Sequence, residues 1–167
     1  MSVSLKELAA YCDGLLSSAS IRDYCPNGLQ VEGAAEVARI VSGVTASQAL
    51  IDEAVRLEAD LLLVHHGYFW KGEDSRITGI KYRRIRSLIG SEISLLAYHL
   101  PLDVHPELGN NAQLAQILGL ETLGPMDPLA KPAVGSHGRL AKKLKAEDFA
   151  KQVSLVLGRE CQHIGDT

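Results

Sequence analysis

Leu61-Leu62-Leu63-Val64 constrains this chain more than any other stretch. Four consecutive large apolar residues leave no polar face. A strand built from them must be covered on both sides, as in a parallel sheet clad by helices. The flanking residues agree. Over 47–59, Leu50, Ile51, Ala54, Val55 and Glu58 share one helical face, apolar except at the last position, and Ser47 can cap it. Gly67 bounds the run on the other side. Residues 39–45 read as a strand before that helix, 80–89 as a helix after it, and 93–98 as the next apolar strand. Strand–helix–strand–helix–strand–helix is the order of an α/β fold with a mostly parallel sheet flanked by helices.

The remaining segments read as follows. Residues 4–16 form a helix capped by Ser4, with Glu7 three residues later and an apolar stripe of Leu5, Leu8, Ala9, Cys12, Leu15 and Leu16. Tyr24-Cys25-Pro26-Asn27-Gly28 is a turn, because Pro26 fixes φ and Asn27 and Gly28 tolerate left-handed backbone. Leu29-Gln30-Val31-Glu32-Gly33 alternates like a short half-buried strand. Residues 67–79 and 101–109 are loops. A helix carrying Leu114, Ile117 and Leu118 is capped by Asn110 or Asn111 and ended by Gly119. Pro125, Pro128 and Pro132 make 123–133 the clearest linker. The expected organisation is an N-terminal α/β unit over 1–124, a Pro-rich linker over 125–133, and the start of a second α/β unit over 134–167. That second unit offers strands at 134–140 and 160–165 and a helix at 146–157. This is too little for an independent core, so it reads as truncated.

An apolar share of 46% and a charged share of 22% are those of a folded chain and exclude disorder. A net charge of −3 gives no global field for nucleic acid or an anionic membrane. The local cluster Lys81, Arg83, Arg84 and Arg86 reads as a solvated helix face. Cys12, Cys25 and Cys161 are odd in number and lack metal or redox spacing, which points to a reducing compartment. Residues 1–7 hold no apolar signal region, and no apolar run reaches the length of a membrane span. The expected location is therefore cytoplasmic, without membrane or nucleic-acid partners.

The candidate chemistry sits at the ends of the buried strands. His65 and His66 close the first, where open α/β sheets bind ligands. Two imidazoles re-aimed by the turn at Gly67 can serve metal ions. Alone, the pair fits one packed and one exposed histidine equally well. The next strand, however, ends in His99-Leu100-Pro101-Leu102-Asp103 and again brings an imidazole and a carboxylate. Together they suit zinc, manganese, iron, cobalt or nickel, and a carboxylate can bridge two ions. His105 and Glu107 read as exposed or capping, and His137 and His163 as structural or exposed. The loop Tyr68-Phe69-Trp70-Lys71 holds aromatics that either stack on a planar heterocycle or cover the sheet edge. No phosphate-binding loop, dinucleotide fingerprint or serine elbow is present.

Three separated motifs occur in a fixed order: Asn27-Gly28-Leu29-Gln30-Val31, Leu62-Leu63-Val64-His65-His66-Gly67, and His99-Leu100-Pro101-Leu102-Asp103. With them the chain resembles the GTP cyclohydrolase 1 type 2 homologues, the NIF-three-like family, and its bacterial branch in particular. The resemblance implies two divalent metal ions in a cleft between related α/β halves, with His65, His66 and Asp103 as ligands. It places His99 nearby, behind the ligands or facing substrate, and His99 is the candidate for moving protons. It also implies a toroidal homohexamer for the full-length protein. Members are longer and supply a further His and a Glu near their C-terminus. The implied activity is metal-dependent hydrolysis of a nucleotide or related heterocycle. The alternatives are a non-enzymatic metal-binding scaffold and, behind it, a phosphoester or amide hydrolase. The last is disfavoured because no Arg or Lys cluster surrounds the ligands to hold phosphates.

Overall fold

In the computed structural model residues 1–165 are described, and positions 166 and 167 of the expected second unit lie outside the described residues. The chain divides into two compact units, Met1–Leu102 and Asp103–Thr167. The first unit runs β1 (Val3–Ser4), α1 (Leu5–Leu15), β2 (Gly28–Val31), β3 (Glu36–Val37), β4 (Ile40–Thr45), α2 (Gln48–Arg56), β5 (Leu61–His66), α3 (Gly79–Gly90) and β6 (Ser94–Ala97). A four-residue helix, α4 (Leu100–Asp103), then occupies the start of the expected 101–109 loop. The central sheet has the order β2-β6-β5-β4. β4 with β5 and β5 with β6 are parallel, and β2 pairs antiparallel with β6. The mostly parallel α/β fold expected from the sequence is the one observed.

The apolar run forms a strand because both of its faces are covered. Leu62 and Val64 pack with Ile51 and Ala54 of α2 and with Ile85 and Leu88 of α3. Leu61 and Leu96 face the other way, against Leu5, Val37 and Tyr98, with Leu8, Ala9, Cys12 and Leu63 packed around them. Leu61, Leu62, Leu95 and Leu96 are at most 1% exposed, and each such burial contributes about 1.5–3 kcal/mol. The expected caps form: the Glu7 N–H donates to Ser4 Oγ and the Leu50 N–H to Ser47 Oγ, both at 3.2 Å.

Two local expectations change. Leu29 and Val31 do not share a face, because the register shifts between them: Leu29 pairs Leu96 while Val31 pairs Leu95. The bulge gives two residues of β2 for one of β6 and breaks the alternation, so Leu29 is exposed and Val31 buried. The basic cluster is only partly solvated. Arg83 and Arg86 are exposed, but the Lys81 side chain is 10% exposed. It pairs with Glu73 at 3.2 Å, donates to the Asp74 carbonyl at 2.7 Å and sits 5.7 Å from the Phe69 ring centroid. Arg84 Nε is buried.

The second unit contains α5 (Asn110–Ile117), β7 (Leu120–Pro125), β8 (Ser136–Leu140) and α6 (Ala146–Leu157). β7 and β8 pair antiparallel, so the Pro-rich stretch lies between two paired strands, and residues 103–124 fall in this unit. Gly109 caps α5 without a side-chain bond. Asn110 donates instead to Asp103 Oδ1 at 2.7 Å, and Asn111 Nδ2 donates to the Val134 carbonyl. Gly119 follows α5 at φ +70, the left-handed stop that favours glycine. Residues 160–165, expected as a strand, have no regular structure, since no described neighbour offers them a ladder. No helix of the described residues is long and apolar enough to cross a membrane.

Candidate metal centre

β5 and β6 run side by side and finish together, with Val64 beside Ala97 and the Tyr98 N–H donating to the Val64 carbonyl at 3.0 Å. His65 and His66 are the last residues of β5, and His99 stands two residues past β6. Parallel pairing therefore brings three imidazoles to one edge. Their ring centroids are 4.4 Å apart for His65–His66, 5.1 Å for His65–His99 and 5.6 Å for His66–His99. One ring nitrogen from each lies within 4.8 Å of the others.

Each ring is held at Nδ1. His65 Nδ1 donates to the Tyr98 carbonyl at 2.9 Å, and His99 Nδ1 donates to Asp23 Oδ1 at 2.8 Å. His66 Nδ1 lies 3.2 Å from Thr45 Oγ1, its partner across β4. A carbonyl and a carboxylate can only accept, so the Nδ1 protons of His65 and His99 are fixed, and in the neutral ring the lone pair stands at Nε2. Histidine ligands in proteins are backed in this way by a carbonyl or carboxylate. Three imidazoles so oriented suit borderline divalent ions, and the residues present fit the expected metal.

The turn at 23–28 does more than reverse the chain. The Asp23 side chain is 2% exposed. Its Oδ1 accepts from His99 Nδ1 and the Tyr24 N–H, and its Oδ2 from Asn27 Nδ2 and the Leu100 N–H. Burial pulls this carboxyl upward, but bonds from Asn27, His99, Tyr24 and Leu100 outweigh it and hold it below the ordinary carboxylate range. Asn27 Oδ1 accepts the His99 N–H at 2.8 Å. Asp23, Cys25 and His99 could also group around an ion. Four donors already occupy the four acceptor positions of the carboxylate, however, and burial followed by the Asp23 charge pushes the Cys25 thiol up to about 11. We therefore read Asp23 as a support for His99. The sequence marks 24–28 as a turn and Asn27 as the start of a family motif but does not single out Asp23; the one signal for it is an acidic residue three positions before Pro26.

The loop after β5 walls the site. Gln30 Nε2 donates to the carbonyls of Pro26 and Tyr68, and Gln30 Oε1 accepts the Tyr68 N–H at 2.7 Å. Trp70 donates from Nε1 to the Gly67 carbonyl at 3.2 Å. Its ring stands edge-on to His99 at 4.9 Å and tilted to His66 at 6.0 Å. Of the two readings of this loop, Trp70 fits the one beside the site. Phe69 and Tyr68 pack into the core, and the Lys71 N–H donates to the Tyr24 carbonyl at 2.6 Å.

Asp103 closes α4, four residues after His99, and opens the second unit. There it accepts from Asn110 and lines a cleft with His105, Asn111, Thr122 and Ser136. His105 Nδ1 accepts the N–H groups of Glu107 and Leu108, a local cap, while His137 and His163 are exposed.

The chain matches the family described as Duf34/NIF3 (NGG1p interacting factor 3) over residues 3–167. A relative from Pseudomonas aeruginosa, named GTP cyclohydrolase 1 type 2 homolog, is 56% identical over 160 residues, covering 96% of this chain and 64% of the relative. One of the same name from Vibrio cholerae is 54% identical, covering 95% and 62%. The chain thus spans somewhat under two thirds of the length of these relatives. Among solved structures, protein ybgI, described as of unknown function, is similar with a TM-score of 0.88 and 50% identity over 95% of this chain and 62% of that one. TTHA1606 from Thermus thermophilus is similar with a TM-score of 0.81 and 38% identity over 95% and 63%. With its mostly parallel sheet, its histidine-bearing strand ends and a family match along nearly its whole length, the chain belongs to the Duf34/NIF3 family.

Proposed function

We propose that His65 and His66 hold divalent metal in a centre that supports hydrolysis of a nucleotide or related heterocycle. The observation that carries this reading is the set of three imidazoles with ligand nitrogens within 4.8 Å, backed at Nδ1 by a carbonyl, a carboxylate and a hydroxyl. A bound ion would supply Lewis acidity for activating water near neutral pH. The family pattern adds Asp103 as a carboxylate ligand and a second ion. His99, with its Nδ1 proton committed to Asp23, can take or give a proton at Nε2. Trp70 gives a planar heterocycle an aromatic wall beside His99. The nucleotide reading draws on the relatives' name, and the homohexamer of the full-length protein on the family pattern.

The test is metal content and GTP turnover for the full-length protein and its His65→Ala and His66→Ala variants, with manganese or zinc supplied. Both variants should lose bound metal and turnover together. Metal at the parent stoichiometry in either folded variant would remove this reading. Full metal occupancy in the parent, with no turnover of any nucleotide, would favour the metal-binding scaffold.

A further inference from the structure

We propose that Asp23 is the positioning residue of this site: a saturated, buried carboxylate that fixes His99 in the Nδ1-protonated tautomer, so that only Nε2 can accept a metal ion or a proton. The inference rests on the metal reading for its consequence but not for its geometry. Asp23 reaches His99 across 76 residues of sequence and holds both the ring and the following backbone. Its Oδ1 takes the ring Nδ1–H at 2.8 Å, and its Oδ2 takes the Leu100 N–H at 2.8 Å, at the start of α4. Asn27 completes the clamp, since one amide accepts the His99 N–H at 2.8 Å and donates to Asp23 Oδ2 at 2.9 Å.

The saturation of the carboxylate is what gives it this role. A carboxylate with a spare lone pair can bind an ion itself or swing to another donor. Asp23 has neither option, because two donors converge on each oxygen and its side chain is 2% exposed. The imidazole is the one partner with a choice of tautomer. An acceptor fixed opposite Nδ1 removes that choice and leaves the lone pair at Nε2. Replacing the carboxylate by an amide of the same shape puts a donor in reach of Nδ1. The ring can then answer by turning its lone pair to Nδ1 and its proton to Nε2.

The experiment is long-range ¹⁵N–¹H NMR of the histidine rings in the metal-free full-length protein, for the parent, Asp23→Asn and Asp23→Glu. It is followed by titration of each with cobalt(II). In the parent, His99 should give a protonated-type Nδ1 and a lone-pair-type Nε2. In folded Asp23→Asn the two signatures should exchange or mix, cobalt affinity should fall by about 10- to 100-fold where Nε2 takes the metal, and Asp23→Glu should recover part of each change. A parent His99 with its proton at Nε2 and its lone pair at Nδ1 overturns the proposal even if no variant folds. An unchanged tautomer in folded Asp23→Asn overturns it; a changed tautomer supports it, with a falling cobalt affinity placing the metal at Nε2 and an unchanged one placing the proton there. Failure of the parent to bind any divalent ion would sink the metal reading instead, and the tautomer measurement would still decide the role of Asp23.

Discussion

A Cβ placed on Gly67 would stand 2.2 Å from Gln30 Oε1 and 2.7 Å from Ala97 Cβ. The sequence suggested that this glycine was needed for backbone freedom at a turn; the contacts assign it to close approach. The amide it faces cannot withdraw easily, because it bonds the backbones of Pro26 and Tyr68. Gly67→Ala should therefore cost about 1–3 kcal/mol, the usual range for overpacking, read as a lower urea midpoint. An unchanged midpoint would mean that the Gln30 clamp yields. Tyr98 makes a second residue-scale case. Its hydroxyl donates to Asp13 Oδ1 at 3.0 Å behind the site, and Asp13 keeps a bond from Ser18 Oγ at 2.9 Å. Tyr98→Phe should lower stability by about 0.5–1.5 kcal/mol while leaving metal binding intact. Loss of metal in a folded Tyr98→Phe variant would show that the hydroxyl also orients the histidines.

Elements are pinned at their starts as well as at their ends. Asp60 precedes β5, and its Oδ2 accepts the N–H groups of Ala38 and Arg39 ahead of β4, each at 2.8 Å. Its carbonyl accepts the Ser94 N–H at the start of β6, at 2.9 Å. The two N–H groups, Ala38 first, hold the carboxyl below its ordinary range. A carboxyl lowered in the folded state adds stability above its unfolded pKa of about 3.9 and loses it as pH falls through the lowered value. Asp60→Asn should thus be less stable than the parent at neutral pH, with the gap closing in acid. Unfolding curves at pH 7 and pH 3 test this, and a gap constant with pH would refute it. Such pins are hard to read from sequence, where Asp60 is one acidic residue before an apolar run. The run itself was legible, because Leu61 to Val64, set between a helix and a glycine, suit a strand covered on both faces. So were His65 and His66, which close such a strand, and His99, two residues past the next one. The bulge at β2 was not, since Leu29-Gln30-Val31 looks the same with or without it. Nor was β7, whose Gly124 and Pro125 read as linker although a hairpin tolerates them. Asp23 stayed hidden because its meaning comes from a partner 76 positions away.

At the scale of the molecule the two units differ in how much they bury. The first holds two apolar clusters. In the second, neither α5 nor α6 has a buried residue, and Met126, Leu129, Leu155 and Ile164 are more than 70% exposed. Local opening is easiest where few apolar contacts are lost. Hydrogen exchange should accordingly be slowest in β5 and β6 and markedly faster in α5 and α6. Equal protection would mean that the second unit is stabilised by something other than its own packing. The three histidines and Asp23 belong to the first unit, and strand polarity decides how they meet. β2 lies at the sheet edge and runs against β6, with Gly28 beside Ala97, so the residues leading into it surface at the rim where the parallel strands finish. Laid in the common direction, the same strand would have opened at the far rim, a sheet's length from His99. A single reversed strand is what lets chain made early in the sequence address an imidazole made late.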